Sequence, residues 1–106
     1  MPLLIKNGEI ITADSRATAD IFCAGETITQ IGHNLSTPPG TEVIDAAGKY
    51  VFPGFIDPHV HIYLPFMGTM AKDDYITGSK AALVGGTTTL IEMCCPARSD
   101  DALKSF

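Results

Sequence analysis

Val51-Phe52-Pro53-Gly54-Phe55-Ile56-Asp57-Pro58-His59-Val60-His61-Ile62 is the stretch on which the fold turns. Pro53 and Pro58 lack an amide N–H and lock φ, which excludes a helix here and leaves an apolar, extended segment. Tyr63–Met70, with Pro65 and Gly68, reads as a loop. Asp73 or Asp74 is placed to N-cap a helix running to about Val84, and Gly85-Gly86 supplies its stop. Thr87–Met93 is β-branched and apolar, which suits a buried parallel strand. Cys94-Cys95-Pro96 ends it, and Ser99 or Asp100 is placed to cap a second helix. Strand, helix, strand and helix start form the grammar of a βαβ unit in a parallel sheet or barrel.

Upstream, the first fifty residues read as short strands and turns. Leu3–Lys6 and Glu9–Thr12 flank Asn7-Gly8, a strong signal for a type I′ hairpin. Ala19–Cys23 and Thr27–Ile31 flank Ala24-Gly25-Glu26, a second hairpin. Pro38-Pro39-Gly40 marks a loop, and Thr41–Ile44 a further short strand. The expectation is a small antiparallel β lobe over residues 1–50 and the start of an α/β barrel over 51–106. A helix starting near residue 106 has no strand to return to, and two parallel strands leave both edges bare. The sequence is therefore expected to be the opening piece of a longer chain.

The 106 residues carry seven Lys+Arg against twelve Asp+Glu, a formal net charge of −5, with 45% hydrophobic and 18% charged residues. That composition is globular. The acidic balance argues against a nucleic-acid partner, which calls for a basic face. No apolar run reaches the ~18–20 residues of a membrane span, and the opening residues lack the pattern of a secretory signal. A cytoplasmic location is expected. Cys23, Cys94 and Cys95 are too few and too oddly spaced for a disulfide framework, which suggests reduced thiols.

Chemistry concentrates in Asp57-Pro58-His59-Val60-His61. Side chains alternate along a strand, so His59 and His61 project to one side. They fall where a strand meets its loop, the end at which α/β barrels place their active sites. Two neutral imidazoles on one face are half of a zinc site, and catalytic zinc keeps an open position for water. Asp57 is expected on their side, one step deeper, as an outer partner orienting a histidine. A solvated surface pair is the ordinary alternative, but polar, metal-competent residues ending an apolar run are costly without a partner.

Pro53–His61 resembles the signature of the amidohydrolase superfamily, whose members carry a His-x-His pair at the end of the first barrel strand. The Ile5-Lys6-Asn7-Gly8 opening is similar to the small β-sandwich domain preceding that barrel. Leu64-Pro65-Phe66-Met67-Gly68-Thr69, Asp73-Asp74-Tyr75, Gly78–Leu83 and Gly85-Gly86-Thr87-Thr88 narrow the resemblance to the dihydropyrimidinases and D-hydantoinases. Dihydroorotases follow the pair with an arginine that grips a substrate carboxylate, whereas Ile62–Phe66 holds no cation. Allantoinase-like chains carry an acidic turn there. The noncatalytic collapsin response mediator proteins lack an intact pair.

The resemblance implies a TIM-like, metal-dependent hydrolase that opens the cyclic amide of dihydropyrimidines or hydantoins to an N-carbamoyl amino acid. It implies two Zn2+ ions per subunit, His59 and His61 holding the more buried one. It also implies that Leu64 and Phe66 contact the exocyclic substituent of a small cyclic ureide, and that the assembly is a homotetramer. The bridging carboxylated lysine, the other histidine ligands and the catalytic aspartate fall beyond the matched region, so no catalytic residue is assigned within this chain. The 106 residues alone are expected to be inactive. A noncatalytic scaffold or interaction fragment of the same fold is the alternative. His33 is expected to be a solvated turn residue. Cys94 or Cys95 is expected to lie near the histidines or to pack, and Glu92 to be a strand-edge carboxylate paired to a lysine.

Overall fold

The computed structural model describes residues 1–104, and among them nine strands and one α-helix organise the chain. It divides into two units, Met1–Pro53 and Gly54–Phe106.

In the first unit β1 (Leu3–Ile11), β2 (Arg16–Ala24), β3 (Thr27–Gly32), β4 (Glu42–Asp45) and β5 (Tyr50–Val51) form one sheet. β1 pairs antiparallel with β2, and β2 with β3. On its other edge β1 pairs parallel with β4 and, further along, with β5. The expected antiparallel lobe is therefore corrected to a mixed sheet. The long Pro-rich connection after β3 carries the chain past β2 to the far side of β1, where β4 arrives running the same way.

The Asn7-Gly8 hairpin is corrected too. β1 runs straight through these residues with a bulge between Ile5 and Gly8, and Asn7 takes φ 60°. The left-handed tolerance of Asn serves a bulge here and not a turn. Asp20 and Asp45 hold it: the Asn7 N–H donates to Asp20 Oδ1 at 2.9 Å, and its Nδ2 to Asp45 Oδ1 at 3.0 Å. The actual β1–β2 turn lies at Thr12–Ser15, where the Thr12 N–H donates to the Ser15 carbonyl and Thr12 Oγ1 accepts the Asp14 and Ser15 amides. The second hairpin forms as expected, with Gly25 at φ 63°. Leu4, Ala19, Ile21, Phe22 and Ala46 are buried in this unit.

In the second unit β6 (Phe55–Val60) pairs parallel with β9 (Thr87–Glu92), and α1 (Tyr75–Val84) lies between them in sequence. Asp74 is the N-cap: its side chain accepts the Thr77 N–H at 2.8 Å, and Thr77 Oγ1 accepts the Asp74 N–H at 3.1 Å. The Thr77 amide holds the Asp74 carboxyl below the ordinary aspartate range. Gly85 caps the other end. The expected loop after Tyr63 contains a small hairpin, β7 (Pro65–Phe66) with β8 (Thr69–Met70), turning through Met67 at φ 51° and Gly68 at φ 79°. Where a second helix is expected, the described residues form a single 3-10 turn, Ala102–Lys104, with the Asp101 side chain accepting the Leu103 amide. Asp100 instead accepts the Ala97 amide, and residues 105 and 106 lie outside the described residues. No helix among the described residues is long and apolar enough to cross a membrane.

Gly54 opens β6 because nothing larger fits. A Cβ there would lie 2.0 Å from Thr88 Oγ1 and 2.7 Å from Thr88 Cβ, so the two strands meet only with a bare backbone at this position.

Candidate metal-binding site

β6 carries a bulge between Asp57 and Val60, where three steps on β6 span two on β9. Pro58 is the cause: it has no N–H to give the ladder, so the pairing skips there. Asp57 closes the irregularity by accepting the His59 N–H on Oδ1 at 3.1 Å, an Asx turn built on its own strand. The Asp57 carboxylate thus acts on the backbone of His59.

The two histidines converge. His59 Nε2 and His61 Nε2 lie 3.1 Å apart, with ring centroids separated by 5.0 Å and planes at 71°. Two imidazole lone pairs facing at that distance repel unless a proton or a cation sits between them. Zinc–nitrogen bonds of 2.0–2.1 Å at tetrahedral angles place two ligand nitrogens about 3.3–3.4 Å apart. The observed spacing fits a shared metal with a small adjustment of either ring. Both residues are exposed, which leaves room for further ligands.

β9 reaches the pair from the other side. Met93 donates its N–H to the Val60 carbonyl at 2.9 Å. Glu92 accepts the Ile62 N–H on both carboxylate oxygens, at 3.2 and 3.0 Å, in place of the expected lysine. Cys95, and not Cys94, approaches the histidines: its Sγ lies 3.9 Å from His61 Nδ1, the ring nitrogen that does not meet His59. All three cysteines are free. Among the described residues no group of three or more His, Cys, Asp or Glu side chains is gathered to hold a metal. The two imidazoles are one donor fewer than the three protein ligands usual for catalytic zinc.

Leu64 lines a cavity of about 270 Å³ with Tyr63, Tyr75, Glu92 and Cys95, and neither histidine lines it. His61 and Asp57 line a different hollow of about 280 Å³, beside Lys72 and Asp73. The Phe66 side chain lies outside the described residues. His33 is exposed in the first unit, after β3.

Residues 42–98 match the model of the amidohydrolase family. The chain belongs to that family. It is 49% identical over 106 residues to the D-hydantoinase of Geobacillus stearothermophilus, covering all of this chain and 22% of that one. It is 45% identical over 95 residues to dihydropyrimidinase 1 of Caenorhabditis elegans, covering 90% of this chain and 19% of the relative. The solved D-hydantoinase (dihydropyrimidinase) from Thermus sp. superposes with a TM-score of 0.90 at 80% identity, over 97% of this chain and 22% of that one. The chain thus spans about a fifth of the length of the curated relatives it matches. Sequence reasoning missed the placement of Glu92 and left open which of Cys94 and Cys95 meets the histidines, since strand register brings Glu92 and Cys95 in from 30 and 34 residues away. The Asx turn at Asp57 had a local signal, the Asp-Pro dipeptide.

Proposed function

We propose that the protein carrying this chain is a metal-dependent hydrolase of cyclic amides, acting on dihydropyrimidines or hydantoins. One observation carries the proposal: the imidazoles of His59 and His61 meet at the end of β6 with their Nε2 atoms 3.1 Å apart. Family membership and the named relatives supply the reaction class. Hydrolysis breaks a ring C–N bond; the oxygen of water ends on the carbonyl carbon and a proton on the departing nitrogen, leaving an N-carbamoyl amino acid.

Zn2+ is the proposed metal, two ions per subunit, with a bridging carboxylated lysine contributed from outside this chain. A divalent metal supplies a nucleophile from water at neutral pH and polarises a carbonyl. His59 and His61 hold one ion through Nε2. Asp57 fixes the His59 backbone. Leu64 and Phe66 are proposed to meet the substituent of the ring, an apolar surface suited to a neutral substrate. β6, α1 and β9 are proposed as the first βαβ turn of a (β/α)8 barrel, supported by their parallel pairing, and the first unit as part of a β-sandwich. A homotetramer is proposed on the family resemblance alone, and a cytoplasmic location on the composition and pattern of the sequence.

The test uses the complete polypeptide. Zinc content and ring opening of dihydrouracil and hydantoin are measured for wild type, His59→Ala and His61→Ala. Each substitution is expected to reduce bound zinc and to lower turnover by more than the ~10–100-fold typical of an outer-shell partner. Undiminished turnover in His61→Ala would refute the proposal and favour a noncatalytic role for the pair.

A further inference from the structure

We infer that Glu92 is the positioning residue for His61: it sets the metal-binding geometry of the imidazole without touching it. The inference rests on the proposal that His59 and His61 hold a metal.

His61 stands just beyond β6, where the regular ladder no longer fixes the backbone. Its two neighbours are held instead. On one side, the Val60 carbonyl accepts the Met93 N–H at 2.9 Å. On the other, the Ile62 N–H is shared by both oxygens of Glu92, at 3.2 and 3.0 Å. Hydrogen bonds from a backbone amide to a carboxylate are charge-assisted and about twice as strong as neutral ones. The Ile62 side chain is buried, 9% exposed. It sits so close to α1 that a Cβ on Gly78 would lie 3.0 Å from Ile62 Cδ1. Ile62 is therefore fixed at its amide by β9 and at its side chain by the helix. His61, joined to it by one peptide bond, has little freedom to turn away from His59.

Asp57 does the equivalent for the other ring, through the His59 N–H at 3.1 Å. Each histidine of the pair thus has a carboxylate on a nearby backbone amide. The difference is reach. Asp57 acts within its own strand, whereas Glu92 couples the pair to β9, so the register of the parallel sheet and the spacing of the imidazoles are set together. Among the described residues no side-chain cation pairs with Glu92, and both of its oxygens face the Ile62 amide.

The test is zinc affinity, measured on the complete polypeptide by competition with a chromophoric chelator, together with the melting of each apoprotein. His61→Ala, Glu92→Gln, Glu92→Asp and Glu92→Ala are compared with wild type. Glu92→Gln keeps an acceptor oxygen at full length and is expected to hold zinc within about threefold of wild type. Glu92→Asp draws the carboxylate back by one methylene, and Glu92→Ala removes it. Both are expected to weaken zinc binding about 10–100-fold, the usual cost of losing a partner behind a metal ligand. A purely structural Glu92 would lower apoprotein melting without moving the affinity of the protein that remains folded. Wild-type affinity in Glu92→Asp and Glu92→Ala, with zinc lost in His61→Ala, would overturn the role of Glu92 and leave the metal proposal standing. Loss in Glu92→Gln as deep as in Glu92→Ala would also overturn it, pointing to charge and not to the hydrogen bond. If Glu92→Ala does not fold, Glu92→Asp decides. Wild-type affinity in His61→Ala would remove the metal proposal and this inference with it.

Discussion

The two units use their side chains in different ways. The first buries Leu4, Ala19, Ile21, Phe22 and Ala46 within one mixed sheet, and ties exposed Asn7 and Asp45 and buried Asp20 together on its own bulge. The second buries Ile62 alone among its described hydrophobic residues, while Ile56, Ile76, Leu83, Val84 and Ile91 stay exposed. Its residues with chemical potential, His59, His61 and Cys95, are exposed as well. A two-stranded parallel sheet with bare apolar faces has little stability of its own. The polar groups named in the first unit serve structure. In the second, the carboxylates of Asp57, Asp74 and Glu92 hold the backbone, whereas the side chains of His59, His61 and Cys95 stay exposed.

The largest effect should come from emptying the core of the first unit. Phe22→Ala removes a ring that is 8% exposed, and is expected to cost about 3–5 kcal/mol. Hydrogen exchange should show protection lost across β1, β2 and β3, with the amides of β6 and β9 little changed. Matched losses in both units would break the contrast between them. A smaller effect is expected from Gly54→Ala, which forces a methyl group into the space of Thr88. Overpacking of this kind costs about 1–3 kcal/mol. Here the loss of protection should be confined to β6 and β9, and wild-type exchange in those strands would show that they part more easily than the close approach implies.

The same contrast governs what could be read from the sequence. Local signals worked in both units: the N-cap at Asp74, one of two candidates, the Gly25 turn, and the β-branched run of Thr87–Glu92 all formed where short-range chemistry put them. Asn7-Gly8 failed because its conformational signal is shared by hairpins and bulges. Only Asp20 and Asp45, 13 and 38 residues away, decide between the two. The parallel pairing of β4 was illegible for a similar reason, since strand direction depends on which edge a long connection reaches. At the candidate site the adjacency of His59 and His61 was written in their spacing. The place of Glu92 was not, nor the choice of Cys95 over Cys94, because a register offset between β6 and β9 cannot be extracted from residue types.

The smallest effect separates the two kinds of carboxylate. The Asn7 amide, followed by that of Leu35, holds the Asp20 carboxyl below the ordinary aspartate value. The Asn7 side chain does the same for Asp45. A carboxyl depressed in the folded state contributes stability above its unfolded pKa of about 3.9. That contribution disappears as the pH falls through the lower, folded value. The first unit should therefore lose stability in acid below about pH 4, and Asp20→Asn should both lower its stability at neutral pH and flatten that acid limb. Asp74 is depressed by the Thr77 amide and has the same sign. Its substitution is milder, because Asn caps a helix about as well as Asp. Asp74→Asn should thus shift the acid limb of α1 only slightly, through lost attraction between the carboxylate and the helix N-terminus. Acid unfolding followed by residue-resolved exchange at several pH values distinguishes the cases. An unchanged acid limb in Asp20→Asn would mean that the bulge tolerates a neutral acceptor as readily as the helix cap does, and the polar groups of the first unit would then be no more committed to structure than those of the second.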